Sequence, residues 1–209
     1  MKLKTLLVTL ATTTILQFGC GGGSGGIPTC VGDFDACGGD LTGKWTLDGV
    51  CSETDISEEM FDLSEFPPEC SNMVQSISMK VSGTVEYANG TETSDVTMSV
   101  TVKGIYTAAC MTAIAETPIT ATQEMCEMIA AGFDPTEGMS MSCSLSGGGC
   151  ACTMSMSEHA QETDTYTVSG GTLIYSSGEN VQYCVSGDTL TVRDTSSDES
   201  AVRIEAHRS

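Results

Sequence analysis

A mainly β chain is the architecture the sequence predicts: an antiparallel up-and-down barrel with one short helical, cysteine-rich insertion, or alternatively a two-sheet sandwich. Three observations carry that prediction. Long stretches alternate apolar and polar residues with a period of two. Asn-Gly and Gly-rich segments join them as tight turns. One internal stretch, at about 107–137, changes from this alternation to a helical pattern. Eight or more consecutive antiparallel strands favour a barrel over the sandwich, because closure leaves no sheet edge exposed. The 209 residues are 40% hydrophobic but only 5% aromatic, so the core must be built from Val, Ile, Leu, Met and Cys.

The first long run places Met73, Ile77, Met79, Val81, Val85 and Tyr87 on one face, with Ser76, Ser78, Lys80, Ser82, Thr84 and Glu86 on the other. Asn89-Gly90 turns the chain, and Val96, Met98, Val100 and Val102 form the returning face. Thr120-Ala121-Thr122-Gln123 reads as a capping box that opens a helix ending near Gly132, with Ala121, Met125, Met128 and Ile129 as its apolar stripe. Alternation resumes at Met139, Met141, Cys143 and Leu145, passes a Gly147-Gly148-Gly149 turn, and continues through Cys150, Cys152, Met154 and Met156. Shorter strands follow at 166–168, 173–175, 181–185, 190–193 and 202–205, with Gly187-Asp188 as one of the turns between them.

Ahead of this domain, Lys2 and Lys4 precede an apolar run from Leu6 to Phe18, which has the layout of an export signal over residues 1–19. The run is shorter than the roughly 17 to 25 residues a membrane-spanning helix needs. Gln17-Phe18-Gly19-Cys20 resembles the lipobox of bacterial lipoproteins, although Gln17 stands where that family usually has Leu. The resemblance implies that Cys20 becomes the acylated N-terminus, anchoring the protein to a membrane of the bacterial envelope. Gly21, rather than Asp, after the anchor is consistent with outer-membrane sorting. Gly21 to Gly26 then has the composition of a flexible tether, and a short disulfide loop is expected to complete residues 20–40 ahead of a barrel domain at 41–209.

The cysteine count fits this organisation. Of 11 cysteines, setting Cys20 aside leaves an even set: Cys30, Cys37, Cys51, Cys70, Cys110, Cys126, Cys143, Cys150, Cys152 and Cys184. In an oxidising compartment these are expected as five disulfides. Cys30 with Cys37, and Cys143 with Cys150 across the glycine turn, are the two pairings expected.

Gly43-x-Trp45, in Leu41-Thr42-Gly43-Lys44-Trp45-Thr46-Leu47, resembles the first-strand signature of lipocalins and lipocalin-like domains. The run from Tyr183 to Leu190, preceded by Tyr166 to Gly170, is similar to the last strands of bacterial lipocalin-like lipoproteins. The resemblance covers about residues 40–206. It implies a barrel that holds a hydrophobic small molecule or lipid inside, and an arginine packed over the indole of Trp45, for which Arg193 and Arg203 are the candidates. Met79, Met98, Met141 and Met154, together with Met139 and Met156, share the predicted inward face, so with Trp45 they are the candidate ligand-lining residues. An interaction or structural module of the envelope, with a solid barrel, is the alternative function.

Other classes find little in the sequence. With 28 Asp+Glu against 8 Lys+Arg, the chain carries a net charge of −20, which disfavours nucleic acid as a partner because phosphate binding needs clustered cations. Gly22 to Gly26 matches G-x-S-x-G around Ser24 but lies in a tether, with no strand before it or helix after it. Asp33, Asp35, Gly38 and Asp40 outline part of a calcium loop, but Cys37 and Lys44 occupy ligand positions. Cys150-x-Cys152 has only His159 and His207 as possible zinc partners, neither at finger spacing. His159 is expected in a polar loop, His207 lies close to the C-terminus, and Glu58, Glu59, Asp62 and Glu65 read as solvated charge. Asn89-Gly90-Thr91 matches a glycosylation sequon but is read as a turn. No catalytic residue, metal or cofactor is therefore expected.

Overall fold

The computed structural model describes residues 27–54, 66–133, 138–194 and 201–209. The expected export signal, Cys20, the expected glycine tether with Ser24, and the acids Glu58, Glu59, Asp62 and Glu65 lie outside the described residues. Among the described residues nine strands follow in chain order: β1 (Gly43–Ser52), β2 (Val74–Ala88), β3 (Thr91–Thr107), β4 (Met139–Ser146), β5 (Gly149–Ser169), β6 (Thr172–Tyr175), β7 (Asn180–Ser186), β8 (Thr189–Asp194) and β9 (Val202–Arg208). Every pairing between them is antiparallel. The order β3-β2-β1-β9-β8-β7-β6-β5 is closed by pairing of β3 with β5, and β4 joins β5 as an extra strand. The predicted barrel is therefore present, with eight strands in the ring, and the sandwich is not.

Alternation in the sequence becomes alternation in burial. Ile77, Val81, Val85 and Tyr87 of β2, and Val96, Met98, Val100 and Val102 of β3, are all buried, while their polar neighbours point outward. Asn89 and Gly90 both have positive φ (52° and 74°) between the paired residues Ala88 and Thr91, the type I′ geometry that matches strand twist. β5 is longer than the sequence suggests. Its 21 residues merge two predicted strands, and His159, expected in a loop, instead lies within it opposite Thr97.

That length gives the fold a second part. β3 lines one edge of β5 from Thr91↔Thr165 to Thr107↔Gly149. The other edge is shared: β6 takes Tyr166 to Ser169, and β4 takes Gly149 to Met156. The lower half of β5 therefore belongs to a sheet extension beside the closed ring. Two helices, α1 (Ala108–Ala115) and α2 (Gln123–Gly132), lead from β3 into β4. Only the second was predicted, because the apolar eight residues of α1 show no helical face in sequence. Thr122 caps α2 by accepting from Met125 N at 3.2 Å, so the cap falls on Thr122 rather than Thr120. Ala121, Met125 and Ile129 pack onto the extension as expected, but Met128 is 59% exposed, because the helix turns its Cys126 face to the sheet.

The five expected disulfides form, but neither expected pairing does. Cys30 bonds Cys51 of β1 and Cys37 bonds Cys184 of β7, so residues 27–40 run along the outside of the barrel instead of closing on themselves. Parallel bridges Thr29↔Ser52 and Gly38↔Cys184 hold the same segment in place. At the β4–β5 hairpin the turn is Gly147-Gly148, and Gly149 already belongs to the strand, pairing with Ser146. That register sets Cys143 opposite Cys152, to which it bonds, and leaves Cys150 to reach Cys126 on α2. Cys70, in the 3-10 turn Pro68–Cys70, bonds Cys110 of α1.

Bridges that close long loops restrict the unfolded chain most. Cys37–Cys184 spans 147 residues and Cys143–Cys152 only 9. Chain entropy assigns them about 5 and about 2.5 kcal/mol respectively. The Cys37→Ser/Cys184→Ser variant is therefore expected to unfold at a lower denaturant midpoint than Cys143→Ser/Cys152→Ser, as measured by guanidinium titration.

Candidate functional site

The inward faces of β1, β2, β3, β6, β7, β8 and β9 enclose an apolar cavity. Its wall comprises Trp45, Leu47, Val85, Tyr87, Glu92, Tyr175, Val181, Leu190, Val192, Asp194, Val202, Ile204 and Ala206. Its volume is about 60 Å³. That is small beside the roughly 300 to 1,000 Å³ of drug-sized ligand sites. Asp194 and Val202 mark one end, where β8 and β9 are joined by residues 195–200, outside the described set.

Trp45 closes the other end. It is fully buried, and its indole Nε1 donates to Leu41 O at 2.8 Å. The Arg208 guanidinium lies 4.4 Å from the ring centroid, a cation–π contact. Arg208 also donates to Thr42 O (2.6 Å) and Asp40 O (3.1 Å), tying the chain entering β1 to the end of β9. The Gly in Gly-x-Trp has a physical reason here. Gly43 adopts φ +124°, which L side chains rarely take, and a Cβ there would sit 3.2 Å from Arg208 Nη1.

The arginine over Trp45 is thus neither Arg193 nor Arg203. β9 places Arg208 directly opposite Trp45, whereas Arg203 pairs with Cys51 at the far end of β1 and faces outward. Arg203 and Arg193 are opposite each other on the outer face, a repulsive cross-strand pair that Glu53 resolves. Glu53 accepts from Arg193 Nη2 at 2.8 Å and from Arg203 Nε at 2.6 Å. Arg203 also lies 5.6 Å from the Phe34 ring and donates to Gly32 O, which holds the outer N-terminal segment.

One polar cluster lines the cavity. Glu92 is 5% exposed and accepts from the Tyr175 hydroxyl, and Tyr87 hydrogen-bonds with both. Burial raises both phenols above the ordinary tyrosine range, and the nearby Glu92 charge raises them further, so both hydroxyls stay protonated and able to donate. The tyrosines and Glu92 were not singled out in the sequence. Glu92 occupies an inward position in Thr91-Glu92-Thr93-Ser94-Asp95, a polar run whose alternation carries no apolar signal.

Of the sequence-predicted lining residues, only Trp45 is at the cavity. Met98 and Met79 pack with Ala160, Met154 and Met156 pack against Ile77, Val100 and Val102, and Met141 packs against the disulfides of the extension. All share the inward-facing parity, but most of them sit on strand segments that continue past the closed ring. Among the described residues, no cluster of three or more His, Cys, Asp or Glu is arranged to hold a metal ion. His207 pairs with Asp48 at 2.7 Å and His159 lies 3.8 Å from Asp95, both exposed on the barrel surface. The chain matches no protein-family model, no curated protein and no solved structure.

Glu53 makes a pH-dependent contribution to stability. Hydrogen bonding from Arg193, foremost, and from Arg203 holds its carboxyl below the ordinary value of 4.5. A depressed folded-state pKa stabilises the fold above the unfolded value, and that stabilisation is lost as pH falls through the folded one. Glu53→Gln is expected to cost about 2 kcal/mol at neutral pH. The gap to the unsubstituted protein should narrow as pH falls below the ordinary glutamate value and through the lowered folded-state one, read from urea midpoints.

Proposed function

We propose that this chain is a non-enzymatic, lipid-anchored bacterial envelope protein with a lipocalin-like barrel, held at the outer membrane through acylated Cys20, that binds a hydrophobic small molecule or lipid. The observation that carries the reading is the apolar cavity over Trp45, with the Glu92–Tyr175–Tyr87 cluster in its wall. An apolar enclosure with a few convergent polar groups is the usual form of a small-molecule site. Five disulfides over residues 27–209 fit an oxidising compartment, as an exported lipoprotein would meet.

The polar cluster narrows the ligand. The titratable lining groups other than tyrosine are the acids Glu92 and Asp194, so a carboxylate entering the cavity meets like charge, whereas an amine or a neutral hydrogen-bonding group does not. The limited room favours a chain end or a small molecule over a bulky ring system. That same limited room is the observation favouring the second reading, a solid barrel that acts as an envelope interaction module.

Titration of Trp45 fluorescence with alkyl amines and fatty acids of equal length, alongside native mass spectrometry of the exported protein, tests the carrier reading. Amines should bind roughly tenfold more tightly, a difference of about 1.4 kcal/mol, and Glu92→Gln should erase that preference. Leu190→Phe should fill the cavity and abolish the response. No copurifying ligand and no change in Trp45 emission with any probe would instead establish the solid barrel. For the anchor, labelled palmitate should be incorporated by the unsubstituted chain and lost in Cys20→Ala; label retained by that variant would overturn it.

A further inference from the structure

The cavity leaves the methionines unused, and their arrangement has a chemistry of its own. Two Met-Ser-Met-Ser runs, Met139 to Ser142 and Met154 to Ser157, fall in β4 and β5. The antiparallel register sets them against each other, Met139↔Met156 and Met141↔Met154. Side chains at paired positions share a face, so all four thioethers emerge on one side of the extension, and the serines on the other.

The type of pairing brings them close. Antiparallel pairs alternate between a wide hydrogen-bonded kind and a narrow kind with Cα atoms about 4.5 Å apart. Cys143 and Cys152, two places along the same ladder, have a Cα separation of 4.1 Å, and so are narrow. Stepping by two keeps the kind, so Met141↔Met154 and Met139↔Met156 are narrow pairs as well. The two pairs follow each other at about 6.8 Å along the strands, within reach of side chains with three rotatable bonds.

All four methionines are half-buried rather than sealed in the core. The ten cysteines of residues 27–209 are all in disulfides, which leaves thioethers as the soft donors of this region. Glu158 continues the same face beyond Met156, opposite Met98. Soft thioether ligands select soft monovalent ions over hard divalent ones. We propose that Met139, Met141, Met154 and Met156 form a binding site for a soft monovalent metal ion, Cu(I) or its analogue Ag(I). The site is independent of the barrel cavity.

The test uses the full chain with Cys20→Ser, which removes the one thiol outside the disulfide set, labelled with methyl-13C methionine and titrated with silver nitrate in chloride-free buffer. One equivalent of Ag(I) should shift the methyl signals of these four methionines among the 12, while Zn(II) shifts none. Met141→Leu/Met154→Leu, a near volume-conserving change, should keep the disulfides and the strand signature in circular dichroism while weakening Ag(I) binding at least tenfold. Bathocuproine competition with Cu(I) should give the same ranking. Unchanged Ag(I) affinity in the double variant would overturn the site, as would shifts confined to other methionines such as the exposed Met128, or the absence of any shift at micromolar ion. If the double variant loses its fold, Met139→Leu and Met156→Leu singly decide the matter by the same readout.

Discussion

The ladder between β3 and β5 is the interaction on which the rest of this structure depends. It pairs residues far apart in the chain, from Thr91 with Thr165 to Thr107 with Gly149, and does two jobs along its length. At its upper end it closes the ring, removing the exposed edges that β3 and β5 would otherwise present. Below the ring the same two strands form a platform, and β4 and the two helices are placed on it. Without that ladder there is neither an enclosed cavity nor a surface for the cysteine-rich insertion.

The disulfides reinforce this division. Cys126–Cys150 and Cys143–Cys152 hold α2 and β4 to the lower part of β5, and Cys70–Cys110 ties the approach to β2 to α1. The other two bridges bind the outer segment across the ring, to β1 and β7. That segment covers part of the outer face where Arg193 and Arg203 stand side by side, and Glu53 supplies the charge that lets them do so. A barrel with few aromatics thus supplements its hydrophobic core with covalent links and one well-placed carboxylate.

Trp45 and Arg208 seal one end of the barrel, and the Glu92 cluster gives the interior its chemical character. Within a chain of net charge −20, Glu92 and Asp194 are the two acids that line the cavity. The thioether face of the extension lies apart from the cavity, on strands β4 and β5.

By itself the sequence determined the strands, several tight turns and the barrel class, because the period-two alternation from Met73 to Val102 and the Asn89-Gly90 turn are local signals read over neighbouring residues. It also determined that the ten cysteines would pair, and that Gly43 and Trp45 mark the start of the barrel. Tertiary structure alone decided the partners. Register set Arg208, not Arg193 or Arg203, over Trp45, and the pairing of Ser146 with Gly149 put Cys143 opposite Cys152 rather than Cys150. The inward methionines were legible as a face but not as a place, since parity fixes the side of a strand while the ring's boundary depends on which strands flank β5 at each height. Glu92 was invisible for the same reason: an acid in a polar run becomes a cavity group only when closure turns its face inward. Alternation is written in the chain one residue at a time, whereas pairing and closure are properties of strands that meet only after folding.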